Sequence, residues 1–322
     1  MEMKGFWKNL KKPFFVLAPM ADVTDAAFRR IIAKYGKPDV FWTEFVSADG
    51  LCSPVGREKL LIDLAYTEGE RPIVAQIFSS KPDNVRETAK LIKELGFDGL
   101  DINMGCPDRT IEKQGAGASL MKNPKLAQEI ILAAKEGAGD MPVSVKTRLG
   151  YNKDILEEWL PALLEARPAV ITVHARNRKE LSDFPARWEM VKRAVEIRDE
   201  LKSETLIIGN GDVKDIKDAE MKVKETGADG VMLGRSIFGN PFLFNRKQKE
   251  VDIKTRLEIM VEHTKLFEEL FNGKKNFAVM KKHYKAYAHG FIGAKELRVE
   301  LMETKNAKEV EGIVEKFLGG SL

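Results

Sequence analysis

Cysteine is scarce in this sequence, which has only Cys52 and Cys106 among 322 residues. A disulfide scaffold of this length would need more cysteines. The sequence also has no Cys-x-x-Cys pair, and no group of cysteines and histidines has the spacing of metal ligands. We therefore expect free thiols, a reducing compartment and no metal ion.

Long apolar runs are also missing. Residues 1–12 are basic and amphipathic but lack the apolar core of a signal peptide. No later stretch approaches the roughly 18 apolar residues that a membrane span requires. No Gly-x-Gly-x-x-Gly pattern opens a helix, so a stably bound nicotinamide dinucleotide is not indicated. These absences predict a cytoplasmic protein that does not contact membranes.

The small excess of positive charge is concentrated in one part of the chain. The formal net charge is +4; residues 245–322 have 16 Lys and Arg against 12 Asp and Glu, and residues 1–244 have 37 of each sign. Within residues 272–298, seven basic residues accompany a single acid. A solvated helix face usually explains such a run, but beside Tyr284, Tyr287 and His289 it also suits a phosphate backbone.

Short apolar segments alternate with amphipathic segments over most of the chain. Eight of them are predicted strands: residues 14–18, 40–46, 73–78, 99–103, 143–148, 169–174, 206–210 and 230–234. Eight such units over about 240 residues are typical of a (β/α)₈ TIM barrel, and a doubly wound open sheet is the competing interpretation.

The alternation stops after residue 244. Residues 253–271, 278–290 and 307–318 have helical periodicity, which predicts a small all-α helical bundle. We therefore predict an α/β protein with two domains, a barrel over residues 1–244 and a helical domain over residues 245–322.

Polar side chains stand at the carboxyl ends of most predicted strands, where barrel enzymes carry their chemistry. They include Gln76, Asp101, Asn103, Lys146, Arg148, His174, Arg176, Asn210, Asp212 and Arg235. Each has an alternative explanation: Lys146 and Arg148 could pair with Asp101, and His174 could be a core histidine. A ring of several such groups nevertheless favours an active site.

Residues 104–117 are predicted to form a loop after the fourth strand. Cys106 lies there before Pro107, with Gly105 ahead of it and two further glycines behind, so a ligand could approach the backbone closely. Cys106 is a candidate chemical group, although a half-buried cysteine that only packs is the alternative.

Several short motifs together resemble the tRNA-dihydrouridine synthases. The most specific is Asn-Met-Gly-Cys-Pro at residues 103–107, followed by Gly-Ala-Gly-Ala-Ser-Leu at 115–120. The others, in the same order as in the family, are Ala-Pro-Met-Ala at 18–21, Val-Lys-Thr-Arg at 145–148, His-Ala-Arg at 174–176, Asn-Gly-Asp at 210–212 and Gly-Arg at 234–235. Many members carry a lysine three or four residues after the cysteine. Here Arg109 and Thr110 stand at those positions, so the role of that lysine passes to Arg109 or is absent.

The resemblance implies flavin mononucleotide (FMN) as cofactor, NADPH as electron donor and tRNA as partner. The glycines and the cation after strands seven and eight suit the FMN phosphate. The implied cofactor-binding residues are Pro19, Met20, Gln76, Lys146, His174, Asn210, Gly211, Asp212, Gly234 and Arg235. The candidate substrate-binding residues are Asn103, Arg109, Arg148, Arg176, Arg178, Lys281, Lys282 and Arg298.

The reaction that the resemblance implies is reduction of specific uridines in tRNA to 5,6-dihydrouridine. Hydride from reduced FMN would reach C6, and the thiol of Cys106, mostly protonated near its free pKa of about 8.5, would protonate C5. Three alternatives stay open: an FMN barrel that reduces a small pyrimidine, a non-catalytic RNA-binding module and a purely structural phosphate-binding barrel. We expect a monomer. The sequence leaves open which uridine is modified and whether NADPH or NADH is the reductant.

Overall fold

The computed structural model describes residues 5–247 and 251–319. The chain divides into two compact units that interleave along the sequence. Unit 1 comprises Met1–Met20, Asp39–Ala65 and Arg71–Gly234, and unit 2 comprises Ala21–Pro38, Tyr66–Glu70 and Arg235–Leu322. Unit 2 thus includes two segments from within residues 1–244, and its last segment begins at Arg235. The two-domain boundary at residue 244 stays a prediction. The chain ends of the predicted domains, residues 1–4 and 320–322, lie outside the described residues.

Unit 1 contains a barrel of eight parallel strands. They are β1 (Phe14–Leu17), β2 (Phe41–Ser47), β3 (Ile73–Phe78), β4 (Gly99–Met104), β5 (Val143–Arg148), β6 (Val170–His174), β7 (Leu206–Asn210) and β8 (Gly230–Leu233). The strands pair in the order β1-β8-β7-β6-β5-β4-β3-β2. A bridge between Val16 and Val40 joins β1 to the residue before β2, and Leu17 N–H donates to the Val40 carbonyl at 3.3 Å. The predicted barrel is therefore confirmed, and an open sheet is excluded.

The described residues contain thirteen α-helices. They are α1 (Ala26–Tyr35), α2 (Ala48–Cys52), α3 (Pro54–Leu60), α4 (Pro82–Glu94), α5 (Arg109–Lys113), α6 (Pro124–Ala138), α7 (Leu156–Glu165), α8 (Trp188–Glu200), α9 (Ile216–Thr226), α10 (Ile253–Phe271), α11 (Val279–Tyr287), α12 (Ala294–Glu303) and α13 (Ala307–Gly319). Helices α2 to α9 belong to unit 1, and α1 and α10 to α13 belong to unit 2.

The structure contains helices that the sequence-based prediction lacks, among them α5 and α12. The segment predicted as a loop contains α5, whose first turn is capped by the Asp108 carboxylate, which accepts from the N–H groups of Thr110 and Ile111. Helix α12 was not predicted, because only Ala294, Leu297 and Leu301 of its ten residues are buried and its apolar periodicity is weak.

The barrel interior changes from apolar to polar along the strands. Its apolar part is a core cluster that comprises Trp7, Phe14, Val16, Ala18, Val40, Trp42, Val74, Val170, Leu206, Ile208 and Met232. Trp7, from the 3-10 helix Gly5–Asn9, lies 5.6 Å from Phe14 and 5.9 Å from Trp42 between ring centroids. Since side chains alternate along a strand, Gln76 shares the inward face with Val74. The carboxyl end of the interior is therefore polar.

Unit 2 packs α1 against α10. The rings of Phe28 and His263 stack with centroids 4.9 Å apart, and Tyr35 donates its hydroxyl to Glu262 at 2.6 Å. Arg29, fully buried in α1, donates from Nε to Glu70 at 2.7 Å. Within the residues that the structure describes, none of the helices is both long enough and apolar enough to span a membrane.

Candidate active site at the carboxyl end of the barrel

Strand register aligns the polar side chains of neighbouring strands. Gln76 of β3 is paired with Asp101 of β4, and Asn103 of β4 is paired with Lys146 of β5. Continuing around the barrel, Arg148 is paired with His174, and His174 with Asn210. Paired residues of parallel strands, and residues two apart on one strand, lie on the same face. The sequence-predicted groups therefore share one face from β3 to β7, with a two-residue step on β4 and on β5.

A chain of hydrogen bonds runs from the barrel interior to the cysteine loop. Gln76 Nε2 donates to Asp101 Oδ2 at 2.6 Å, and Asn103 Nδ2 donates to Gln76 Oε1 at 3.1 Å. Asn103 Oδ1 accepts from the N–H groups of Gly105 at 3.1 Å and Cys106 at 2.9 Å. The Asn103 side chain therefore holds the turn that presents the thiol.

The cysteine loop is also fixed from two other sides. Arg148 Nε donates to the Gly105 carbonyl at 2.8 Å, and the Ala118 N–H donates to the Cys106 carbonyl at 2.9 Å. Gly117 has φ +60°, and a Cβ there would lie 2.9 Å from the Cys106 carbonyl oxygen, so no other residue fits. The backbone of Cys106 is thus held while its side chain stays half-buried.

Burial shifts the acidity of the groups around the thiol. Burial raises the pKa of the Cys106 thiol above its ordinary value, while the positive charges of Lys146 and Arg148 oppose that rise. Burial, reinforced by the charge of Arg148, lowers the pKa of Lys146 to about 8. Burial raises the pKa of Asp101 to about 6, although Gln76 and Ser144 donate to its carboxylate. The thiol is therefore protonated at neutral pH, and two cations stand near it.

The two cations do not pair with the buried acid. Arg148 donates to carbonyl groups of three residues, Gly105, Asn177 and Leu181. Among residues 5–247 and 251–319, no hydrogen bond or ion pair joins Lys146 or Arg148 to Asp101. The alternative that this triad is a structural ion pair is therefore wrong. Arg148 ties the cysteine loop to the loop after β6.

The loops after β6 and β7 are joined by an arginine. The Arg176 guanidinium donates to Asp212 Oδ2 and to the Phe184 carbonyl and contacts His174 Nε2 at 3.2 Å. Gly211, with φ +128°, lies so close to the His174 ring that a Cβ would be 3.2 Å from ring carbon Cδ2. The turn 210–212 is therefore packed directly against His174.

The remaining predicted site residues lie in different parts of the two units. The predicted cofactor-binding residues belong to unit 1 except Arg235, which begins a short 3-10 helix in unit 2. Arg178 of unit 1 donates from Nε to Glu112 of α5 at 2.7 Å. Arg109, at the first position of α5, is exposed and makes no hydrogen bond or ion pair with another described residue.

The predicted tail residues lie in unit 2. Lys282 is exposed and lies 3.9 Å from Asp22, and Lys281 is half-buried. Arg298 donates to the Ala288 carbonyl at 2.7 Å. The lysines of α11 thus retain accessible charge, whereas Arg298 also ties α12 to the end of α11.

Sequence reasoning missed one group of side chains at the mouth of the barrel. The Tyr151 ring, in the loop after β5, has the Lys122 ammonium 3.7 Å and the Arg178 guanidinium 5.1 Å from its centroid. These residues are far apart in sequence, and no local pattern marks Tyr151. The only available signal was its position directly after Arg148, Leu149 and Gly150 at a strand end.

Comparison with known proteins places the chain in a family. The sequence profile described as "Dihydrouridine synthase (Dus)" matches residues 16–319. The "Probable tRNA-dihydrouridine synthase 2" of Bacillus subtilis (strain 168) is 42% identical over 316 residues, which cover 98% of this chain and 97% of that protein. The "Probable tRNA-dihydrouridine synthase" of Staphylococcus aureus (strain MRSA252) is 40% identical over 316 residues, or 98% of this chain and 96% of that protein.

A solved structure shares the fold alone. The 6-hydroxypseudooxynicotine amine oxidase (HisD) from Pseudomonas geniculata N1 superposes with a TM-score of 0.55 at 14% identity, over 76% of this chain and 48% of that chain. Our chain therefore corresponds to about half of that structure. The match of the family profile to nearly the whole chain confirms the resemblance seen in the motifs. The protein belongs to the dihydrouridine synthase family.

Proposed function

We propose that the protein reduces specific uridines of tRNA to 5,6-dihydrouridine with FMN as cofactor. The observation that carries the proposal is the thiol of Cys106, protonated and held by a fixed loop near Lys146 and Arg148 at the carboxyl end of the barrel. Barrel enzymes carry their chemistry at this end, and the chain's relatives are named for this reaction.

The residues of unit 1 fit FMN. Among the described residues the half-buried Lys146 ammonium has no hydrogen-bond partner, so it is available to the polar edge of the isoalloxazine ring. A Cβ on Gly234 would project toward Ala18 and Met20, at 3.6 and 3.7 Å, so glycine keeps this space open. We propose that Pro19, Met20, Gln76 and His174 also contact the ring, and that residues 210–212 and 234–235 hold the phosphate.

When bound, FMN in its reduced form would supply a hydride for uridine C6. Addition at C6 would leave an enolate that must take a proton at C5, and the Cys106 thiol would give that proton. The thiolate that remains is stabilised by the charges of Lys146 and Arg148 and by the Asp108 N–H. Asn103 and Arg148 act by holding the cysteine loop, and Arg176 by holding Asp212.

We assign the RNA contacts to cations that are exposed or half-buried. Arg109 lies three residues after Cys106 and makes no other side-chain bond among the described residues, so we propose that it replaces the lysine of other members and binds a phosphate. Lys281 and Lys282 lie in the basic run of unit 2. A uridine must leave its stack to be reduced, which costs least in an open RNA loop. We further propose NADPH as the reductant and a monomeric enzyme.

Two matched variants test the role of the thiol, because the chain has two cysteines. Cys106→Ala should keep its flavin and accept electrons from NADPH at an unchanged rate. Transfer to tRNA should fall by roughly 10²- to 10⁴-fold, the usual contribution of a general acid. Cys52→Ala should leave both steps unchanged, since its thiol lies against Asn84 and Thr88 in unit 1. Stopped-flow absorbance of the flavin separates the two half-reactions.

The same purified protein distinguishes the competing functions. Denaturation should release FMN, which chromatography identifies. If no flavin is released after reconstitution, the alternative of a non-catalytic RNA-binding module is favoured. Reduced enzyme mixed with tRNA, free uridine or dihydroorotate should transfer electrons only to tRNA. Rapid turnover of a free pyrimidine would instead assign the barrel to a small substrate.

A further inference from the structure

The hydrogen-bond chain below Cys106 has a fixed direction. At one end stands the carboxylate of Asp101, fully buried, whose oxygens only accept. At the other end stand the backbone N–H groups of Gly105 and Cys106, which only donate. Two amide side chains, Gln76 and Asn103, connect these ends. An amide has one accepting oxygen and one donating nitrogen, so each end dictates which way the neighbouring amide is turned.

The orientation passes from residue to residue. Asp101 accepts, so Gln76 must turn its Nε2 toward it, which leaves Oε1 facing Asn103. Oε1 accepts, so Asn103 must turn its Nδ2 toward Gln76, which leaves Oδ1 facing the backbone N–H groups of the cysteine loop. Reversal of either amide would bring two donors or two acceptors together.

We infer that Asp101 is a positioning residue that sets the orientation of Gln76 and Asn103 and, through them, holds the loop that presents Cys106. Its catalytic consequence rests on the proposed function, because the thiol and the Gln76 amide serve uridine reduction and flavin binding there. The orientation itself is a property of the folded chain and can be measured without substrate.

Neutralising Asp101 alone should lower the stability of the folded protein only slightly. In Asp101→Asn the new oxygen can accept from Gln76, and the new amide nitrogen then faces Ser144. The Ser144 hydroxyl now donates to Asp101 at 2.5 Å and lies 3.4 Å from the Leu100 carbonyl, so it can rotate to that carbonyl and accept instead. The direction of the hydrogen-bond chain is unchanged, so Asp101→Asn should change the melting temperature only slightly.

Asn103→Asp conflicts with the fixed direction. The new carboxylate still accepts from the loop N–H groups, but its second oxygen faces Gln76 Oε1. Gln76 cannot turn round to donate, because Asp101 holds its Nε2. Two acceptors therefore meet in a buried place, and the side chain at 103 must move away from Gln76 or take up a proton.

The double variant Asp101→Asn, Asn103→Asp removes the conflict by exchanging donor and acceptor in the hydrogen bonds that join Gln76 to positions 101 and 103. The amide introduced at position 101 can donate its nitrogen to Gln76 Oε1, and its oxygen can accept from Ser144 as the carboxylate does now. Gln76 then donates Nε2 to the carboxylate at 103, which also accepts from the loop. Asp101→Ala, Asn103→Asp removes the same charge but supplies no donor for Gln76 Oε1, so it is the matched control.

The test compares the FMN-loaded wild type with these four variants at pH 8. Burial raises the pKa of Asp101 to about 6, so the carboxylate is ionised there. Melting temperature should fall by about 3 °C or more in Asn103→Asp and return to within about 1 °C of Asp101→Asn in the double variant. Amide exchange at Gly105 and Cys106 should accelerate about tenfold in Asn103→Asp and recover in the double variant. The alanine control should not recover the melting temperature, because Gln76 Oε1 stays without a donor. Its amide exchange should recover, because alanine at 101 no longer holds Gln76 Nε2 away from position 103.

Three results would overturn the inference. One is a double variant no more stable than Asn103→Asp. Another is an alanine control whose melting temperature recovers as fully as that of the asparagine variant, which would mean that only charge matters. If Asn103→Asp fails to fold, folding of the double variant counts as the rescue. The third overturning result is that both variants fail to fold. None of these readouts needs tRNA, so they are independent of whether the enzyme reduces uridine.

Discussion

Two buried histidines in unit 2 make stability depend on pH. His263 and His283 are fully buried, their ring centroids are 4.7 Å apart, and their four ring nitrogens have no hydrogen-bond partner in the part of the chain that the structure describes. Burial lowers the pKa of His283 to about 3, with a further contribution from Lys282, and burial lowers the pKa of His263 in the same direction. Both rings are therefore neutral in the folded protein.

The His263 and His283 rings bind protons in the unfolded chain but stay neutral in the folded protein. Since the folded pKa is below the ordinary value of about 6.5, this stability is fully present above pH 6.5 and is lost as the pH falls toward 3. Each histidine should lower the free energy of unfolding by up to about 1.4 kcal/mol per pH unit in this window. His283→Leu should remove one such contribution, and urea unfolding between pH 4.5 and 7 measures it. Replacement of the exposed His289 should change the slope less; equal slopes in wild type and His283→Leu would contradict the prediction.

At the scale of single residues, sequence predicts which groups meet better than how they are oriented. Gln76, Lys146 and His174 were placed at one end of the barrel because each lies within the last three residues of a strand, and the strand register agrees with that placement. The sequence could not show that Arg178 pairs with Glu112, 66 residues away, or that Arg148 binds carbonyl groups and not Asp101. Such choices depend on loop geometry, which side-chain periodicity does not encode.

Helix α1 is anchored in unit 2 by a buried ion pair. Arg29 and Glu70 are both fully buried; Arg29 also donates to the Thr24 carbonyl at 2.8 Å, and Glu70 accepts from the Thr67 N–H at 2.8 Å. Glu70→Gln leaves a buried guanidinium without its counter-charge and should lower the free energy of unfolding by about 3 to 5 kcal/mol. Urea denaturation followed by circular dichroism measures the change.

An exposed pair in the same unit provides the control. Lys254 and Glu258 of α10 are 3.9 Å apart with side chains 71% and 56% exposed, so Glu258→Gln should cost less than about 1 kcal/mol. Replacement of both Arg29 and Glu70 by methionine should cost less than Glu70→Gln, since no unpaired charge remains. A Glu70→Gln protein as stable as Glu258→Gln would show that the buried pair does not anchor α1.

Elements with strong periodicity were predicted, and short or weakly patterned ones were not. The eight strands and helices such as α6 and α10 follow from apolar spacing and from caps such as the Asn123 side chain, which accepts from the Leu126 N–H. Helix α5 has five residues, too few to show a period, and α12 buries only three side chains. Helix α1 belongs to unit 2 because it contacts α10. The two helices are far apart in sequence, so these contacts could not be predicted from it.

Over the whole molecule, the excess positive charge lies beyond residue 244, while the barrel sequence is balanced. This separation predicts that RNA affinity and redox chemistry respond to different substitutions. The lysines of α11 are the most direct test, because α11 buries Met280, His283, Tyr284 and Tyr287 on its other face. Substitution of Lys281 and Lys282 should therefore leave the packing of the helix intact.

Log affinity for tRNA falls with log salt at a slope of about −0.7 to −0.9 for each phosphate that the protein neutralises. Lys281→Ala, Lys282→Ala should therefore bind tRNA more weakly and have a slope shallower by up to about 2, with unchanged flavin content. The matched control is Lys217→Ala, Lys224→Ala, which removes two exposed lysines of α9 in unit 1 and the same net charge. Titrations at several salt concentrations separate a lost phosphate contact from a general loss of charge. If both pairs of substitutions change the slope equally, only net charge matters; if neither does, the basic run of residues 272–298 is a solvated helix face, because neutralising lysines that contact phosphates must reduce the number of counterions released.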